Sequence, residues 1–168
     1  MKLLIVRHAK AEDREVYAKT GADDAERPLT GAGREQARKT ARAIKTLLPR
    51  IDVLATSPLV RARDTADLLR RDYKRLRPQE LPALMPGIPP KVVGAWLAEQ
   101  AVDATVAVVG HEPDLSSLAS WFLTGRAQPL MALKKGGACL LEFEAAPAPG
   151  GALLAWLLTP RQLRGLSE

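Results

Sequence analysis

The chain has 168 residues, of which 46% are hydrophobic and 26% are charged, a composition that fits one globular domain over residues 1–168 and excludes intrinsic disorder. No apolar run reaches the roughly 18 to 20 residues of a membrane span, and the N-terminal apolar run is too short for a signal peptide, so we expect no membrane partner. The single cysteine, Cys139, excludes an internal disulfide and favours a cytoplasmic location, while the net charge of +6 favours an anionic partner.

The positive charge is concentrated in the first half of the chain. Residues 1–84 contain 19 Lys and Arg against 12 Asp and Glu, whereas residues 85–168 contain 6 against 7. Such a basic half suits phosphate, an acidic protein face or nucleic acid, although exposed helix cations also serve solubility alone. Because only 4% of the residues are aromatic and no groove-reading motif occurs, we expect no nucleic-acid partner.

Aliphatic runs and amphipathic spacings divide the chain into alternating strands and helices. Thr30 and Ser57 are predicted as helix N-caps, with Pro58 at the first helical position. The alternation predicts a three-layer α/β/α sandwich with a mostly parallel central sheet. In chain order we predict a strand at 2–6, a polar loop at 10–29 that could move over a site, a helix at 31–48 and a strand at 51–55. A helix follows Ser57, with Ala62, Ala66, Leu69 and Tyr73 on its buried face, and then an irregular crossover at 76–90 with at most a short strand near 79–81. The last predicted elements are a helix at 90–101, a strand at 105–109, a helix from Pro113 to near Gly125, and an antiparallel hairpin of strands at 138–143 and 152–158.

The only two histidines of the chain both follow predicted strands. His8 comes after the first strand and Arg7, and His111 comes after the strand at 105–109 and Gly110. Imidazole serves nucleophilic attack and proton transfer near neutral pH, and ligands of open α/β sheets bind outside the carboxyl ends of the strands. The two histidines therefore predict one site assembled from distant segments.

Two arginines at strand ends suit the binding of a phosphoryl group at that site. Arg7 precedes His8, and its guanidinium offers a planar fork of donors that matches phosphate oxygens. Arg61 is predicted in the first turn of the helix after Ser57, near the free N–H groups that stabilise anions. Arg63 lies two residues further on and is predicted to face elsewhere as an exposed helix residue.

Other catalytic and cofactor motifs are missing from the sequence. Residues 31–36 lack the last glycine of a dinucleotide fingerprint, and no phosphate-binding P-loop occurs. Cys139 has Ala145 rather than an arginine six residues on, which excludes a cysteine-phosphatase loop. Two histidines without clustered carboxylates fit few metal-site spacings, so we expect neither a metal nor a cofactor.

Four motifs carry a family resemblance. LIVRHA at residues 4–9 resembles the opening motif of the histidine phosphatase superfamily, with Ala9 where the family usually has glycine. The chain contains no large cap insertion and is most similar to the short SixA-type phosphohistidine phosphatases. The other three motifs follow in family order: RPLT at 27–30 with Gly33, SPLVRA at 57–62 with Thr65 and Ala66, and GHEP at 110–113.

The resemblance implies a phosphoglycerate mutase-like fold and a metal-independent phosphatase. It makes His8 the nucleophile that forms a covalent phosphohistidine, and it makes Arg7, Arg61 and His111 the ligands of the transferred phosphoryl group. Larger members also use an acidic residue that protonates the leaving group. Glu80 and Glu112 are the candidates in this chain, and neither matches that motif convincingly.

A missing general acid favours a leaving group that departs without help. The imidazole of a phosphohistidine can carry its own proton and leave neutral, so we expect phosphohistidine on a protein, for example on a histidine phosphotransfer domain. The same chemistry on small phosphate compounds or polyphosphate is the enzymatic alternative. A phosphate-binding regulatory module without turnover is the alternative from a different class.

Overall fold

The computed structural model describes residues 1–166, which form one six-stranded sheet with helices on both faces. The strands are β1 (Lys2–Arg7), β2 (Val53–Thr56), β3 (Pro78–Glu80), β4 (Thr105–Gly110), β5 (Ala138–Phe143) and β6 (Ala152–Leu158). The helices are α1 (Arg14–Ala18), α2 (Gly31–Leu47), α3 (Val60–Arg70), α4 (Pro90–Ala98), α5 (Asp114–Thr124) and α6 (Pro160–Gly165), with 3-10 turns at Asp24–Glu26 and Pro82–Leu84.

The strands lie in the order β3-β2-β4-β1-β5-β6. The first four of these are mutually parallel, and β5 and β6 complete the sheet as an antiparallel hairpin. Parallel strands need crossover connections, and α2, α3 and α4 lie on those connections. The arrangement confirms the predicted mostly parallel sheet and the hairpin at its end.

Both faces of the sheet are covered because the strands are apolar on both sides. On β1, Leu3 packs in one buried cluster with Phe122 of α5, whereas Leu4 packs in the other with Ile44 of α2. Successive side chains of a strand point to opposite faces, so continuous aliphatic runs need helices on both sides. The three-layer α/β/α architecture is confirmed.

The central strands β2, β4 and β1 all end at one edge of the sheet. Their register pairs Thr56 with Val109 and Arg7 with Gly110. The residues that follow these ends are therefore neighbours in space although they are far apart in sequence. They are His8 after β1, Ser57 after β2 and His111 after β4.

The segment after His8 is anchored to the start of α2. The Thr30 N–H donates to the Lys10 carbonyl over 3.0 Å, and the Glu12 N–H donates to the Pro28 carbonyl over 2.9 Å. A Cβ at Gly33 would overlap the Lys10 carbonyl, so only glycine permits this approach. The two ends of the segment at residues 12–28 are thereby fixed beside the strand ends.

Several predicted boundaries were wrong in detail. Ser57 is not an N-cap and Pro58 is not helical: α3 begins at Val60, after Leu59, without a side-chain cap. Pro113 precedes α5 instead of opening it, and Tyr73 is buried but lies beyond α3. The predicted loop at 10–29 contains α1 and a 3-10 turn, and α6 was not predicted. The predicted strands at 2–6, 51–55 and 105–109 each end one residue later, at Arg7, Thr56 and Gly110, and β2 starts only at Val53. The other shifts are β3 at Pro78–Glu80, the end of α2 at Leu47 and the end of α4 at Ala98.

Within residues 1–166, none of the helices combines the length and the apolar character that crossing a membrane requires.

Candidate active site

The two histidines meet at the edge where β1 and β4 end. Their ring centroids are 5.1 Å apart, with an angle of 53° between the ring planes. His8 is 6% exposed and His111 is 4% exposed, so both imidazoles are buried. The sheet topology thus brings together the two side chains that the strand-end argument placed in one site.

Hydrogen bonds of backbone and side chain fix the orientation of His8. Its N–H donates to the Gly110 carbonyl over 3.1 Å, and its carbonyl accepts from the Gly136 N–H over 3.1 Å. Its Nδ1 lies 2.7 Å from the Ala9 carbonyl, and a carbonyl only accepts, so Nδ1 carries the proton. In the neutral ring, Nε2 therefore holds the free lone pair.

Burial is the main reason that the pKa of His8 falls from 6.5 to about 4. The hydrogen bond to the Ala9 carbonyl raises the pKa, and the charges of Arg61, Arg7 and Arg27 lower it. The imidazole is consequently neutral at pH 7, which is the form that can act as a nucleophile.

His111 is held by a buried serine at the end of β2. Its Nε2 lies 2.8 Å from the Ser57 Oγ, whereas its Nδ1 is buried and has no hydrogen-bond partner within residues 1–166. Burial, then the neighbouring His8, then the charge of Arg61 lower the pKa of His111 to about 3. This ring is also neutral at pH 7.

Arg7 and Arg61 each leave one buried donor free. Arg7 donates from Nη1 to the Leu133 carbonyl over 2.7 Å, and Arg61 donates from Nη1 to the Asp24 carbonyl over 2.9 Å. The Nε atoms of both arginines are buried without a partner among the described residues. Burial lowers the pKa of both groups, which as guanidiniums stay charged at pH 7.

Arg27 and Asp24 extend the site into the segment that was predicted as a loop. Arg27 donates from Nε to the Asp24 Oδ1 over 2.8 Å and from Nη1 to the Glu12 carbonyl over 2.7 Å. The Asp24 Oδ2 also lies 3.2 Å from the Arg61 Nη2. Burial raises the pKa of Asp24, but the Arg27 hydrogen bond and the charge of Arg61 outweigh it, so the pKa is lowered.

These groups surround a cavity of about 410 Å³. Both predicted arginines and both histidines line it. Three of the four buried side-chain N and O atoms without a partner in residues 1–166 belong to these residues, the Nε of Arg7, the Nε of Arg61 and the Nδ1 of His111. A buried donor without a partner is costly, so the cavity is suited to an anion that accepts hydrogen bonds. The charged residues that line the cavity are five basic ones, Arg7, Arg14, Arg27, Arg61 and Lys135, and four acidic ones, Glu12, Asp13, Asp24 and Glu112.

The two candidate proton donors lie in different places. Glu80 is absent from the cavity wall and instead forms an ion pair of 3.3 Å with Arg63, which faces away from the site as expected. Glu112 lines the cavity, and its Oε1 accepts from the Ser116 Oγ over 2.8 Å and from the Leu133 N–H over 3.3 Å.

Two functional candidates do not follow from the sequence alone. The sequence predicts Ser57 as a helix N-cap, whereas its contact with His111 depends on strand order rather than on local spacing. Arg27 belongs to the RPLT motif, and that motif is the only signal in the sequence for its place in the cavity wall.

A larger cavity of about 560 Å³ lies between α2 and the turn after α3, with no histidine in its wall.

Within residues 1–166, no group of three or more His, Cys, Asp or Glu side chains has the arrangement to hold a metal ion.

Comparison with known proteins agrees with this geometry. The family model of the histidine phosphatase superfamily (branch 1) matches residues 3–85. An uncharacterized protein of Picosynechococcus is 36% identical over 148 residues, which are 87% of each chain. The solved structure of the protein histidine phosphatase SixA complexed with tungstate is 25% identical, with a TM-score of 0.81, over 97% of this chain and 99% of that chain. The chain belongs to the histidine phosphatase superfamily.

The same fold occurs in more distant phosphatases. The phosphoserine phosphatase of Entamoeba histolytica, in complex with 3-phosphoglyceric acid, has a TM-score of 0.69 and 17% identity over 96% of this chain and 98% of that chain. The family match and the likeness to SixA make this chain a phosphatase of SixA type, and the phosphoserine phosphatase shares its phosphoglycerate mutase-like fold.

Proposed function

We propose that this phosphatase moves a phosphoryl group first to Nε2 of His8 and then to water, and that its substrate is phosphohistidine on a protein. One observation carries the proposal: His8, whose Nδ1 donates to the Ala9 carbonyl and so leaves the Nε2 lone pair free, lines a cavity together with Arg7, Arg61 and His111, whose Nε and Nδ1 atoms are buried without a partner among residues 1–166.

The first step is an in-line displacement at phosphorus. The lone pair on Nε2 of His8 forms the new N–P bond while the bond between phosphorus and the leaving group breaks, and the leaving group keeps that electron pair. Nδ1 keeps its proton throughout, because it donates to the Ala9 carbonyl. That hydrogen bond also holds the ring in the orientation for attack, which is the positional part of catalysis.

The charged and polar wall of the cavity stabilises the transition state. Negative charge spreads over three equatorial oxygens in phosphoryl transfer, and the protein contributes mainly positioning and electrostatics. The free Nε donors of Arg7 and Arg61 and the Nδ1 of His111 are three groups for three oxygens. All three are buried, which strengthens each interaction relative to water.

The second step returns His8 to its starting state. Water attacks phosphorus from the side that the leaving group has vacated, the N–P bond breaks, and the electron pair returns to Nε2. The water proton leaves with the phosphate product or with solvent. Neither step requires a group beyond this chain, the substrate and water.

The placement of the acidic residues supports a phosphoramidate substrate. Glu80 lies outside the cavity, and one carboxylate oxygen of Glu112 is occupied by two hydrogen bonds. A departing imidazole that carries a proton on its other nitrogen needs no further proton, whereas an alkoxide does. The exposed charged side chains at the mouth, among them Arg14 and Lys135, suit contact with a folded protein surface.

A small phosphate compound is the second candidate substrate. It is favoured by the shared fold with the phosphoserine phosphatase and by the presence of Glu112 in the cavity wall. We further propose that residues 1–168 form a single domain. A cytoplasmic location stays a prediction from the one buried, free cysteine, Cys139.

A panel of substrates tests the proposal directly. Release of phosphate is measured from a phosphohistidine-bearing phosphotransfer protein, from free phosphohistidine, from phosphoserine and from polyphosphate, each with wild type and with His8→Ala. We expect kcat/KM to be highest for the protein phosphoramidate and undetectable for His8→Ala. A higher value for phosphoserine or polyphosphate would favour the second candidate, and phosphate binding without any turnover would identify a regulatory module.

A further inference from the structure

We propose that Ser57 is a positioning residue that holds His111 in the tautomer with its proton on Nδ1. Ser57 follows β2 and is fully buried, and its Oγ lies 2.8 Å from Nε2 of His111. The contact links the ends of two neighbouring parallel strands, β2 and β4, at the edge where the cavity lies.

The other contacts of Ser57 restrict where its hydroxyl proton can go. The Leu59 N–H donates to the Ser57 Oγ over 3.3 Å, which occupies one lone pair. Within residues 1–166, His111 is the only other partner of this oxygen. The hydroxyl proton therefore has one acceptor available, the Nε2 of His111, provided that Nε2 carries no proton of its own.

The two tautomers differ in how many buried groups they leave unpaired. With the proton on Nε2, that nitrogen donates to Ser57, and both the serine hydroxyl proton and the Nδ1 lone pair of His111 remain unpaired. With the proton on Nδ1, the serine donates to Nε2, and only the Nδ1 proton remains. Buried polar groups are nearly always paired, so the second arrangement is favoured.

The remaining Nδ1 proton belongs to a ring that lines the cavity, and in the proposed mechanism its partner is the bound phosphoryl group. The serine thus makes a neutral imidazole into a hydrogen-bond donor without adding a positive charge beside His8. In the opposite tautomer, Nδ1 would present a lone pair to the phosphoryl oxygens and repel them. This consequence for catalysis rests on the proposed function, whereas the tautomer itself does not.

Nitrogen NMR of the full chain tests the assignment. Long-range ¹H–¹⁵N spectra of protein labelled with ¹⁵N in its histidines distinguish a protonated ring nitrogen from an unprotonated one. The chain has only two histidines, so only two imidazole rings give signals. The signals of His111 are identified by their absence in His111→Gln. We expect Nδ1 protonated and Nε2 unprotonated in wild type at pH 7. A wild-type ring with its proton on Nε2 would overturn the proposal without any variant.

Variants then separate positioning from general stability. Ser57→Ala is compared with Ser120→Ala, which also removes a fully buried hydroxyl that accepts a backbone N–H, in this case from Leu130 over 2.8 Å. We expect Ser57→Ala to shift His111 toward the other tautomer and to lower kcat/KM about tenfold, whereas Ser120→Ala changes neither. Ser57→Thr restores the hydroxyl and should restore both readouts. An unchanged tautomer in Ser57→Ala would contradict the proposal, whereas wild type with the expected tautomer and no turnover would contradict only the proposed function.

Discussion

The cavity has a floor and a rim that are held by different interactions. The floor consists of Arg7, His8 and His111, which stand at or directly after the ends of β1 and β4, and of Arg61 in the first turn of α3, the helix that follows β2. The rim consists of Glu12, Arg14, Asp24 and Arg27, which belong to the segment between β1 and α2.

The floor is fixed by the backbone of the sheet. His8 is hydrogen-bonded to Gly110 and Gly136 through its main chain, and both histidines are buried. The rim depends on charge: Asp24 contacts Arg14, Arg27 and Arg61, and the side chain of Arg14 is 79% exposed. Exposed ion pairs are weak and screened by salt. Phosphoryl transfer should therefore depend on the floor, whereas the charges of the rim should adjust the affinity of the cavity for anions.

After loss of His8 itself, loss of the floor arginine Arg61 should have the largest effect. Arg61→Ala removes a buried donor of the cavity, so we expect kcat/KM to fall by roughly 10² to 10³, as for the loss of one oxyanion donor. The matched control is Arg63→Ala on the same helix, outside the cavity, with less than about a twofold change. Steady-state kinetics with a phosphoramidate distinguishes the two. Equal losses in both variants would show that Arg61 acts through the stability of α3.

Acid should destabilise the protein because the floor buries two neutral imidazoles. Histidines of the unfolded chain take up protons below pH 6.5, whereas the pKa values of folded His8 and His111 are about 4 and about 3. Protons therefore bind preferentially to the unfolded chain below pH 6.5. The free energy of unfolding keeps its full value above pH 6.5 and falls as the pH decreases. Between pH 7 and pH 5 each histidine should account for about 2 kcal/mol of lost stability.

His8→Gln isolates one histidine, because glutamine does not titrate. The free energy of unfolding is measured with urea at pH 7, 6 and 5 for wild type and for His8→Gln. Between pH 7 and pH 5 it should decline by about 2 kcal/mol less in the variant than in wild type. An identical decline in the two proteins would mean that the pKa of His8 is the same in the folded and the unfolded chain.

A change in the rim should alter anion affinity more than chemistry. Asp24→Asn removes one negative charge beside Arg61, while the Asp24 main-chain carbonyl remains as its acceptor. We expect the inhibition constant of inorganic phosphate to fall about threefold at low salt and the difference to shrink at high salt. Asp23→Asn, a neighbouring carboxylate that caps the 3-10 turn, should leave the constant unchanged. An increase in Asp24→Asn would show that the carboxylate is needed to orient Arg61.

The smallest effect is expected at Glu80, which belongs to neither floor nor rim. Its carboxylate pairs with the exposed Arg63, so Glu80→Gln should change turnover of phosphoramidates and phosphoserine by less than about twofold. A selective loss with phosphoserine alone would assign Glu80 the role of proton donor and would require the segment around β3 to approach the cavity.

The floor could be predicted from sequence because its determinants are local. Aliphatic runs mark β1 and β4, and the residue after each run lies at a strand end wherever the chain goes next. A parallel sheet therefore places His8 and His111 at the same edge, and they become neighbours because β1 pairs with β4. The order of β2, β4 and β1 in the sheet was not accessible in this way, and it is this order that places Ser57 against His111.

The rim could not be predicted because its contacts are long-range and ionic. Asp24 lies in a polar stretch without hydrophobic periodicity, and its pairing with Arg61 spans 37 residues. The role of Ser57 could not be predicted for a different reason. Serine before proline is a common start of a helix, and nothing local shows that the hydroxyl has a histidine as its partner instead.

Trapping the covalent intermediate tests the central claim most directly. A phosphoramidate with labelled phosphorus is mixed with enzyme, turnover is quenched in base within one cycle, and the labelled peptide is identified by mass spectrometry. We expect an acid-labile, base-stable phosphoryl group on His8 that forms and decays at rates matching turnover and is missing in His8→Ala. Full turnover with no label on His8, or with label on another residue, would contradict it.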